Sequence, residues 1–365
     1  MMQTVTNLLG MDRAGLETFF KTRGEKPYRA LQLLKWIHNR GINDFNLMTD
    51  MSKQLRTSLQ TDCVIQAPEV HSEHVAKDGT RKWLLAIPGG GLIETVFIPE
   101  KKRGTLCISS QVGCALNCTF CSTARQGFAR NLSVAEIIGQ VWMARDKLRQ
   151  VVDSPLCTEI TNVVMMGMGE PLLNFDALIP ALSIMRDEHG YALPRRRVTV
   201  STSGVVPTID ELAAFSDVSL AVSLHAPNDE LRSELVPINK KYPLEQLLAA
   251  CKRYVSSNKR YFITMEYVML NGVNDSLSHV KQLVKLLHNV PCKINLIPFN
   301  PFPGAPYVCS SVDTILDFCK YLSDHDMVCT IRKTRGDDID AACGQLVGKV
   351  LDRTRRSQRY AASQE

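Results

Sequence analysis

The chain of 365 residues lacks any apolar run that reaches the roughly 18 residues needed to span a membrane. Its first residues, Met1–Gly10, lack the charged start and following apolar run of a secretory signal. Twelve cysteines without such a signal favour a reducing compartment over a disulfide framework. We therefore expect a cytoplasmic protein with no membrane segment, and nothing in the sequence demands more than a monomer.

The chain also lacks a strong overall charge, and its net +6 is concentrated at the two ends. Residues 1–60 carry nine Lys or Arg against five Asp or Glu, and residues 344–365 carry five against two. A nearly neutral body with basic ends suits a polyanionic partner that is held at its edges. Ordinary charge scatter on a solvated surface explains the same numbers, so charge alone does not decide between the two.

What the chain does have is a group of three cysteines, Cys114, Cys118 and Cys121, directly after the apolar run Thr105–Ser110. Three thiolates can bind three irons of a [4Fe–4S] cube and leave the fourth iron open. The amine and carboxylate of S-adenosylmethionine can chelate an open iron, and its sulfonium can then accept an electron to give a carbon radical. Structural zinc usually has four ligands. No second cysteine pair and no histidine lies nearby, so the spacing favours a cluster over zinc.

Regions of different character follow one another along the chain. Residues 1–60 have helical periodicity and predict a small accessory domain. The positive charge of this segment suggests that the domain binds RNA. Residues 61–104 predict a strand-rich linker that carries Glu94. Residues 105–343 predict the main domain, and residues 344–365 predict a basic C-terminal tail.

Strands and helices alternate through the main domain. The predicted strands are Thr105–Ser110, Ile160–Met166, Arg197–Thr202, Val218–Leu224, Phe262–Met269, Lys293–Pro298 and Met327–Lys333. The clearest helices are Ser133–Arg149, which opens with a capping box, Pro207–Phe215, Pro243–Tyr254 and Ser276–His288. Alternation of this kind implies a parallel sheet with right-handed crossovers. We therefore expect an α/β fold, a partial (β/α)6 barrel with a small N-terminal helical domain and a strand-rich linker.

The polar residues of chemical interest follow the predicted strands. They are the three-cysteine loop, Gly169 and Glu170, Ser201, Ser223 to His225, Asn300, and the segment Asp337–Cys343. Barrel active sites are built from the C-terminal ends of strands and the loops after them. One rim of the barrel is therefore expected to collect these residues.

Several of these residues suit a ligand such as S-adenosylmethionine. Glycine at position 169 allows close approach of the backbone, and the carboxylate of Glu170 can receive an ammonium group. Ser201, Ser223 and Asn300 offer hydroxyl and amide groups for carboxylate, ribose or adenine edges. A lone histidine such as His225 is, by default, a hydrogen-bonded loop residue rather than an acid or base.

Three further residues have two interpretations each. Cys107 and Cys343 are either reactive thiols or small structural residues, and the small neighbours of Cys343 leave it accessible. The other seven cysteines outside the loop lie in apolar or helical contexts and are interpreted as structural. Glu94 lies between apolar residues of a predicted strand. It either faces outward, which is the default, or is buried with a raised pKa that suits a base.

The chain closely resembles the bacterial radical-SAM adenine-C2 methyltransferases that modify large-subunit ribosomal RNA and transfer RNA. The resemblance spans residues 90–350, and residues 1–60 match less sharply. The motifs that carry it are Cys107-Ile-Ser-Ser-Gln-Val-Gly-Cys114, the cysteine loop with Ser122-Thr-Ala124, Met166-Gly-Met-Gly-Glu-Pro171, Ser223-Leu-His225, Asn300-Pro-Phe-Pro-Gly304 and Gly336-Asp-Asp-Ile-Asp-Ala-Ala-Cys-Gly-Gln345.

This resemblance implies cofactors and partners. It implies that Cys114, Cys118 and Cys121 bind a [4Fe–4S] cluster, and that two S-adenosylmethionine molecules are used per turnover. The residues it places on S-adenosylmethionine are Gly169, Glu170, Ser201, Ser223, Leu224, His225 and Asn300. It also implies ribosomal RNA and transfer RNA as partners and a reducing electron donor such as flavodoxin.

The resemblance further implies a route through two cysteines. One S-adenosylmethionine methylates Cys343, and a 5′-deoxyadenosyl radical from the second takes a hydrogen atom from the new methyl group. The resulting carbon radical adds to C2 of adenine. Cys107 then releases the product by forming a disulfide with Cys343, and Glu94 stands at the position of the base that takes the C2 proton.

Alternatives remain at this point. A related enzyme type methylates adenine C8 with the same cluster, glycine loop and pair of cysteines. Three segments favour the C2 type, namely the loop Cys114–Cys118, Leu173-Asn174 and Phe299–Gly304. A non-catalytic Fe–S protein that binds RNA or transfers electrons predicts no cleavage of S-adenosylmethionine and no need for Cys343. A third alternative is an enzyme that activates another protein by radical chemistry. It is disfavoured because it gives the basic ends of the chain no role.

Overall fold

The computed structural model describes residues 5–152, 154–256, 262–348, 350, 352–354 and 356. Its first elements are β1 (Thr6–Asn7), α1 (Arg13–Thr22), α2 (Tyr28–Leu34), α3 (Lys53–Asp62) and β2 (Cys63–Val64). A π-helical turn over Lys35–Arg40 continues α2. Strands β1 and β2 pair in parallel with Thr6 opposite Cys63. The start of the predicted linker therefore belongs, in the structure, to the helical unit.

The next three strands form an antiparallel meander that is continuous with the main sheet. They are β3 (Glu69–Val75), β4 (Arg81–Ala86) and β5 (Leu92–Pro99). Strand β5 also pairs in antiparallel fashion with β6 (Gly104–Cys107), where Val96 lies opposite Cys107. The segment 61–104 is therefore not a separate connector, because β6 completes the backbone hydrogen bonds of β5 and joins the meander to the barrel.

The remaining elements build the barrel. In chain order they are β7 (Gln111–Gly113), α4 (Ser122–Arg125), β8 (Phe128–Asn131), α5 (Val134–Arg149), β9 (Asn162–Met165), α6 (Phe175–Arg186), β10 (Val198–Thr202), α7 (Val206–Phe215), β11 (Ser219–Ser223), α8 (Asp229–Leu235), α9 (Leu244–Ser256), β12 (Ile263–Met269), α10 (Leu277–Leu287), β13 (Cys292–Pro298), α11 (Val312–Ser323) and β14 (Cys329–Ile331).

One sheet of ten strands runs through the described residues in the order β14-β13-β12-β11-β10-β9-β6-β5-β4-β3. The strands from β6 to β14 in this sheet are parallel to their neighbours, which gives seven parallel strands. These correspond to the seven predicted strands, and the last of them is shorter than predicted, since β14 has three residues at the edge of the sheet. The expected α/β class and partial barrel are confirmed, since β14 and β3 are opposite edges of an open sheet.

The first barrel strand is shorter than its apolar run predicts. It ends at Cys107 rather than Ser110. The side chain of Gln140 on α5 takes over the backbone pairing: its Oε1 accepts from the N–H of Ser109 at 2.8 Å, and its Nε2 donates to the carbonyl of Ser109 at 2.9 Å. Ile108 still bonds to Val164 and Gly167, so the chain leaves the sheet at Ser109, and the cysteine loop follows beyond the strand ends.

The helical unit packs on the outer helices of the barrel. The Trp142 indole N–H on α5 donates to the carbonyl of Ile37 at 3.1 Å. Arg13 forms a bidentate pair with Asp187 just after α6, with both hydrogen bonds at 2.9 Å. Within the part of the chain that the structure describes, no helix has the length and apolar character required to cross a membrane.

Candidate active site

A cavity of about 160 Å³ lies at the C-terminal ends of the parallel strands. Ten of the residues that the sequence selected line it together, although they come from distant parts of the chain. They are Cys114, Cys118, Cys121, Gly169, Glu170, Ser201, Ser223, His225, Asn300 and Cys343. The expectation that one rim of the barrel collects these residues is therefore correct.

The three loop cysteines are held by backbone hydrogen bonds on one side of this cavity. The N–H of Cys114 donates to the carbonyl of Gly127 at 2.8 Å, and the N–H of Cys121 donates to the carbonyl of Cys118 at 3.3 Å. Burial raises the pKa of Cys118 to about 12, and the charge of Cys121 raises it further. Thiols with such pKa values are poor thiolates on their own, so a bound cation is needed to ionise them.

A cluster and a single metal ion place different requirements on the three loop thiols. No three His, Cys, Asp or Glu side chains of the described residues are grouped closely enough to hold one ion. In a [4Fe–4S] cube each thiolate binds a different iron, so the sulfur atoms are farther apart than the ligands of one zinc. Three thiols that line one cavity, each available to a different iron, therefore fit the cluster.

Glu170 is buried at the back of the cavity and is fixed at both oxygens. Its Oε2 accepts from the N–H of Ser203 at 2.8 Å, and its Oε1 accepts from the N–H of Leu172 at 3.2 Å. Burial raises the pKa of Glu170 to about 7, against the opposing effect of these N–H donors. A ligand ammonium that enters the cavity would stabilise the ionised carboxylate.

The loop before Glu170 is shaped by Gly169 and by Gln111 on β7. Gly169 has φ of +99°, and a Cβ there would lie 2.5 Å from Cβ of Gln111. The Oε1 of Gln111 accepts from the N–H of Glu170 at 3.0 Å and from the N–H of Ala115 at 3.3 Å. One amide therefore connects the glycine loop to the cysteine loop, and only glycine fits at position 169.

His225 is a neutral, hydrogen-bonded histidine, as the default interpretation predicts. Its Nδ1 accepts from the N–H of Val268 at 3.0 Å, and its ring packs edge-on against Phe120 with centroids 4.5 Å apart. Burial lowers the pKa of His225 to about 3, and the charge of Arg232 lowers it further. His225 can shape the cavity, but it does not act as an acid near neutral pH.

Leu224 differs from the other predicted cofactor residues. Its side chain is fully buried and does not line the cavity. Its backbone is used instead: the N–H donates to the carbonyl of Glu266 at 3.0 Å, and the carbonyl accepts from Nε of Arg232 at 3.0 Å. The position fixes the end of β11 rather than offering a side chain to a ligand.

A second, smaller cavity of about 40 Å³ lies next to the first. Cys107 lines the second cavity, and Cys343 lines both, so the Cys343 thiol stands where the two meet. Asn300 and Arg332 also line both cavities, and Nδ2 of Asn300 donates to the carbonyl of Cys343 at 3.1 Å. Burial raises the pKa of Cys107 to about 12, with a further contribution from the charge of Cys343.

Glu94 on β5 is buried rather than outward-facing, so the default interpretation of this residue is wrong. It is 5% exposed and lies outside the lining of either cavity. Its Oε1 lies 3.2 Å from Nζ of Lys82, and its Oε2 accepts from the N–H of Val347 at 2.8 Å. Burial raises the pKa of Glu94, and the opposing charge of Lys82 lowers it.

The segment after Cys343 packs across the cysteine loop, and this differs from a free basic tail. The carbonyls of Gly344 and Leu346 accept from the N–H of Ser122 and the hydroxyl of Thr123, at 2.9 and 2.8 Å. Arg356 donates to backbone carbonyls of the cysteine loop, namely Cys114, Ala115, Leu116 and Ala124. Lys349, Arg355 and Arg359, three other basic residues of the predicted tail, lie outside the described residues.

Sequence patterns gave no indication of several residues that the structure places at the site. These residues contact segments that are distant in the chain, through their side chains or their backbone. They are Gln111, Ser203, Arg232, Arg332 and Lys82. Gln111 lies within the motif Cys107–Cys114 and Arg332 directly follows a strand, so these two carried a weak signal. Arg232 lies in a short charged helix that reads as an ordinary solvated surface.

Two family models match this chain, one over the N-terminal unit and one over the barrel. The family model of the ribosomal RNA large subunit methyltransferase N-terminal domain matches residues 6–65. The family model of the radical SAM superfamily matches residues 108–287. The first match ends where β2 ends, in keeping with the pairing of β1 and β2, and the second covers the cysteine loop.

Two relatives match almost the whole chain. The dual-specificity RNA methyltransferase RlmN of Alcanivorax borkumensis is 57% identical over 366 residues, which cover 99% of this chain and 95% of that protein. The crystal structure of a radical SAM methyltransferase from Sphaerobacter thermophilus superimposes with a TM-score of 0.86 and is 43% identical. That alignment covers 93% of this chain and 99% of the other.

Proposed function

Because the chain belongs to the RlmN family of radical-SAM RNA methyltransferases, we propose that it methylates C2 of a specific adenosine in large-subunit ribosomal RNA and in transfer RNA. The observation that carries the proposal is the position of Cys343. Its thiol borders both the cavity with the three loop cysteines and the cavity with Cys107. A methyl group taken up from one side can therefore be passed to a base on the other.

The large cavity fits the family's cofactors, a [4Fe–4S] cluster and S-adenosylmethionine. Cys114, Cys118 and Cys121 would hold the cluster, and Glu170 would receive the ammonium group of S-adenosylmethionine. Gly169, Ser201, Ser223, His225 and Asn300 would contact the rest of that molecule, and Leu224 would support it through its backbone. When bound, these cofactors supply a methyl group, a radical that removes a hydrogen atom, and an acceptor for one electron. Two S-adenosylmethionine molecules are used per turnover.

Cys343 carries the methyl group through the reaction. Its sulfur, after loss of the thiol proton, would attack the methyl carbon of the sulfonium, and the methyl group's old carbon–sulfur bond would break with S-adenosylhomocysteine as the leaving group. After one hydrogen atom leaves the methyl group, its carbon would bond to C2 of adenine, and the unpaired electron left on the ring would pass to the one-electron acceptor that the cofactors supply. This route is needed because C2 is an electron-poor aromatic carbon that does not attack a sulfonium methyl group, whereas a carbon radical adds to it.

Cys107 and Glu94 complete the transfer. The Cys107 sulfur attacks the Cys343 sulfur, a disulfide forms, and the electron pair of the broken carbon–sulfur bond stays on the carbon at C2. Glu94 takes the C2 proton, and a second proton completes the new methyl group. An external dithiol reduces the disulfide with two electrons and restores both cysteines for the next turnover.

The partners follow from the family and from the charge distribution. RNA presents the target adenine unstacked, in a single-stranded segment, and the basic N-terminal unit supplies phosphate contacts. Arg356 is already bound to the cysteine loop, so within the tail it supports the site rather than RNA. We further propose that the enzyme acts as a monomer in the cytoplasm and receives electrons from a reduced carrier such as flavodoxin.

Mass spectrometry of nucleosides from treated RNA tests this function most directly. We expect 2-methyladenosine in ribosomal and transfer RNA after anaerobic incubation with S-adenosylmethionine and a reductant. A product methylated at C8 would instead identify the related C8 enzyme type. The absence of any methylated adenine, together with uncleaved S-adenosylmethionine, would indicate a non-catalytic Fe–S protein.

A further inference from the structure

Arg232 is a fully buried arginine on α8 whose hydrogen bonds all go to neutral acceptors. Its Nη2 donates to the carbonyls of Ser203 and Ser223 at 2.8 and 2.9 Å. Its Nε donates to the carbonyl of Leu224 at 3.0 Å, and its Nη1 donates to Oδ1 of Asn239 at 2.8 Å. The side chain therefore ties together the ends of β10 and β11, directly behind the large cavity.

The positive charge of Arg232 has no carboxylate partner among the described ion pairs. Asp229, one turn earlier on α8, instead accepts from Asn239 Nδ2 and from the N–H of Leu244, both at 2.8 Å. A buried charge without a counter-charge is costly, even when its hydrogen bonds are made. Burial lowers the pKa of Arg232 to about 10, and negative charge on Cys118 or Asp229 opposes this effect.

Two contacts connect Arg232 to the loop that would hold the cluster. Ser203, whose carbonyl accepts from Arg232, has its hydroxyl 4.0 Å from the sulfur of Cys118. At the end of α8 the carbonyl of Leu235 accepts from the N–H of Thr119 at 3.1 Å. The helix that carries the buried cation is therefore bonded to the residue next to a cluster ligand.

We propose that Arg232 is the counter-ion of the bound cluster and raises its reduction potential. Reduction adds a negative charge to a site that already carries three thiolates, and a buried cation favours the more negative state. Arg232 does not line either cavity, so it does not touch a substrate there. It is a positioning residue, which supplies positive charge behind the cluster and holds the ends of β10 and β11 together. The inference rests on cluster binding, which the proposed function also requires, but not on the RNA substrate.

An EPR-monitored redox titration of the reconstituted holoenzyme tests this role. In Arg232→Met we expect the equilibrium constant for one-electron reduction to fall at least tenfold, which corresponds to a potential lowered by about 59 mV. Arg232→Lys keeps the charge but cannot make all four hydrogen bonds, so it should keep most of the potential. A wild-type potential in cluster-loaded Arg232→Met would overturn the inference.

Asn239→Leu is the matched control, because it removes a hydrogen-bond partner of Arg232 and leaves the charge in place. We expect a lower melting temperature but an unchanged potential, and a potential as low as that of Arg232→Met would overturn the electrostatic role. If Arg232→Met takes up no cluster, the Lys variant decides: a near-wild-type potential supports the role, and a strongly lowered one contradicts it. Failure of the wild-type protein to bind a cluster would instead contradict the proposed function.

Discussion

The two neighbouring cavities differ in how their chemical groups are held. In the large cavity the carboxylate of Glu170 is fixed by buried hydrogen bonds from the N–H groups of Ser203 and Leu172. In the small cavity Cys107 comes from the first barrel strand and Cys343 from a segment after the last strand, whose backbone is held by Asn300. A site that binds cofactors needs preorganisation, whereas a thiol that must reach a sulfonium, a base and a second thiol needs freedom to move.

This difference predicts that damage to the large cavity stops every step, whereas damage to the small one stops the reaction part-way. The largest effect is expected for Cys114→Ala. The anaerobically purified variant should be colourless, lack the absorbance of a [4Fe–4S] cluster and cleave no S-adenosylmethionine. Cys157→Ala, which changes a cysteine outside both cavities, should remain brown. A brown and active Cys114→Ala protein would contradict the assignment of this ligand.

Cys343→Ala should separate the effect on cluster binding from the effect on methyl transfer. The variant should keep its cluster and its colour, because Cys343 is not a predicted ligand, but RNA methylation should fall by roughly a thousandfold or more. Cluster absorbance and nucleoside mass spectrometry measure the two properties. The matched control is Cys292→Ala, a cysteine at the start of β13 that lies outside both cavities. Full methylation by Cys343→Ala would disprove the methyl-carrying role.

Cys107→Ala should interrupt the reaction later. Without the second thiol the carbon–sulfur bond between Cys343 and the base is not broken, so protein should accumulate covalently bound to RNA. Denaturing gels should show the slower band, and multiple turnover should fall by roughly a hundredfold or more. The double variant with Cys343→Ala should show no band. Normal turnover by Cys107→Ala would mean that another group resolves the adduct.

The smallest effect is expected for Lys82→Met, which changes the environment of Glu94 and neither cavity. Burial already raises the pKa of Glu94, and Lys82 opposes this, so removing the cation should raise the pKa further. A base works in its ionised form, so the acid limb of the pH–rate profile should move to higher pH. Single-turnover rates between pH 5 and 9 would measure the shift.

Arg81→Met is the control for that experiment, since it removes a cation from the same strand that pairs with Glu73 at 2.7 Å instead. Its pH profile should match that of the wild-type protein. An unchanged pH–rate profile for Lys82→Met would indicate that Glu94 is not the base that takes the C2 proton. It would also show that the reaction uses a different base.

Local sequence was enough for the parts of the molecule that depend on spacing. The capping box of Ser133 and Glu136 predicted the start of α5, and both of its hydrogen bonds are present. The run of strands and helices predicted the barrel and its catalytic rim, because parallel strands place their C-terminal ends together. The three-cysteine spacing and the family motifs predicted ten of the residues that line the large cavity.

Other features depend on contacts between segments that are far apart in the chain. The pairing of β5 with β6 turned a predicted linker into part of the sheet, and Gln140 shortened the first barrel strand. Burial decided that Glu94 faces inward and that His225 is neutral, and a strand pattern alone does not reveal which face is covered.

The sequence by itself therefore determined which chemistry the protein carries, because cysteine spacing and strand periodicity are local properties of the chain. Only the tertiary structure decided where charge is buried. Arg232 and Glu94 owe their electrostatic character to the groups that folding brings around them, among them Ser203, 29 residues before Arg232, and Val347, 253 residues after Glu94. Interaction energies between charges depend on distance and burial, which only the folded chain defines.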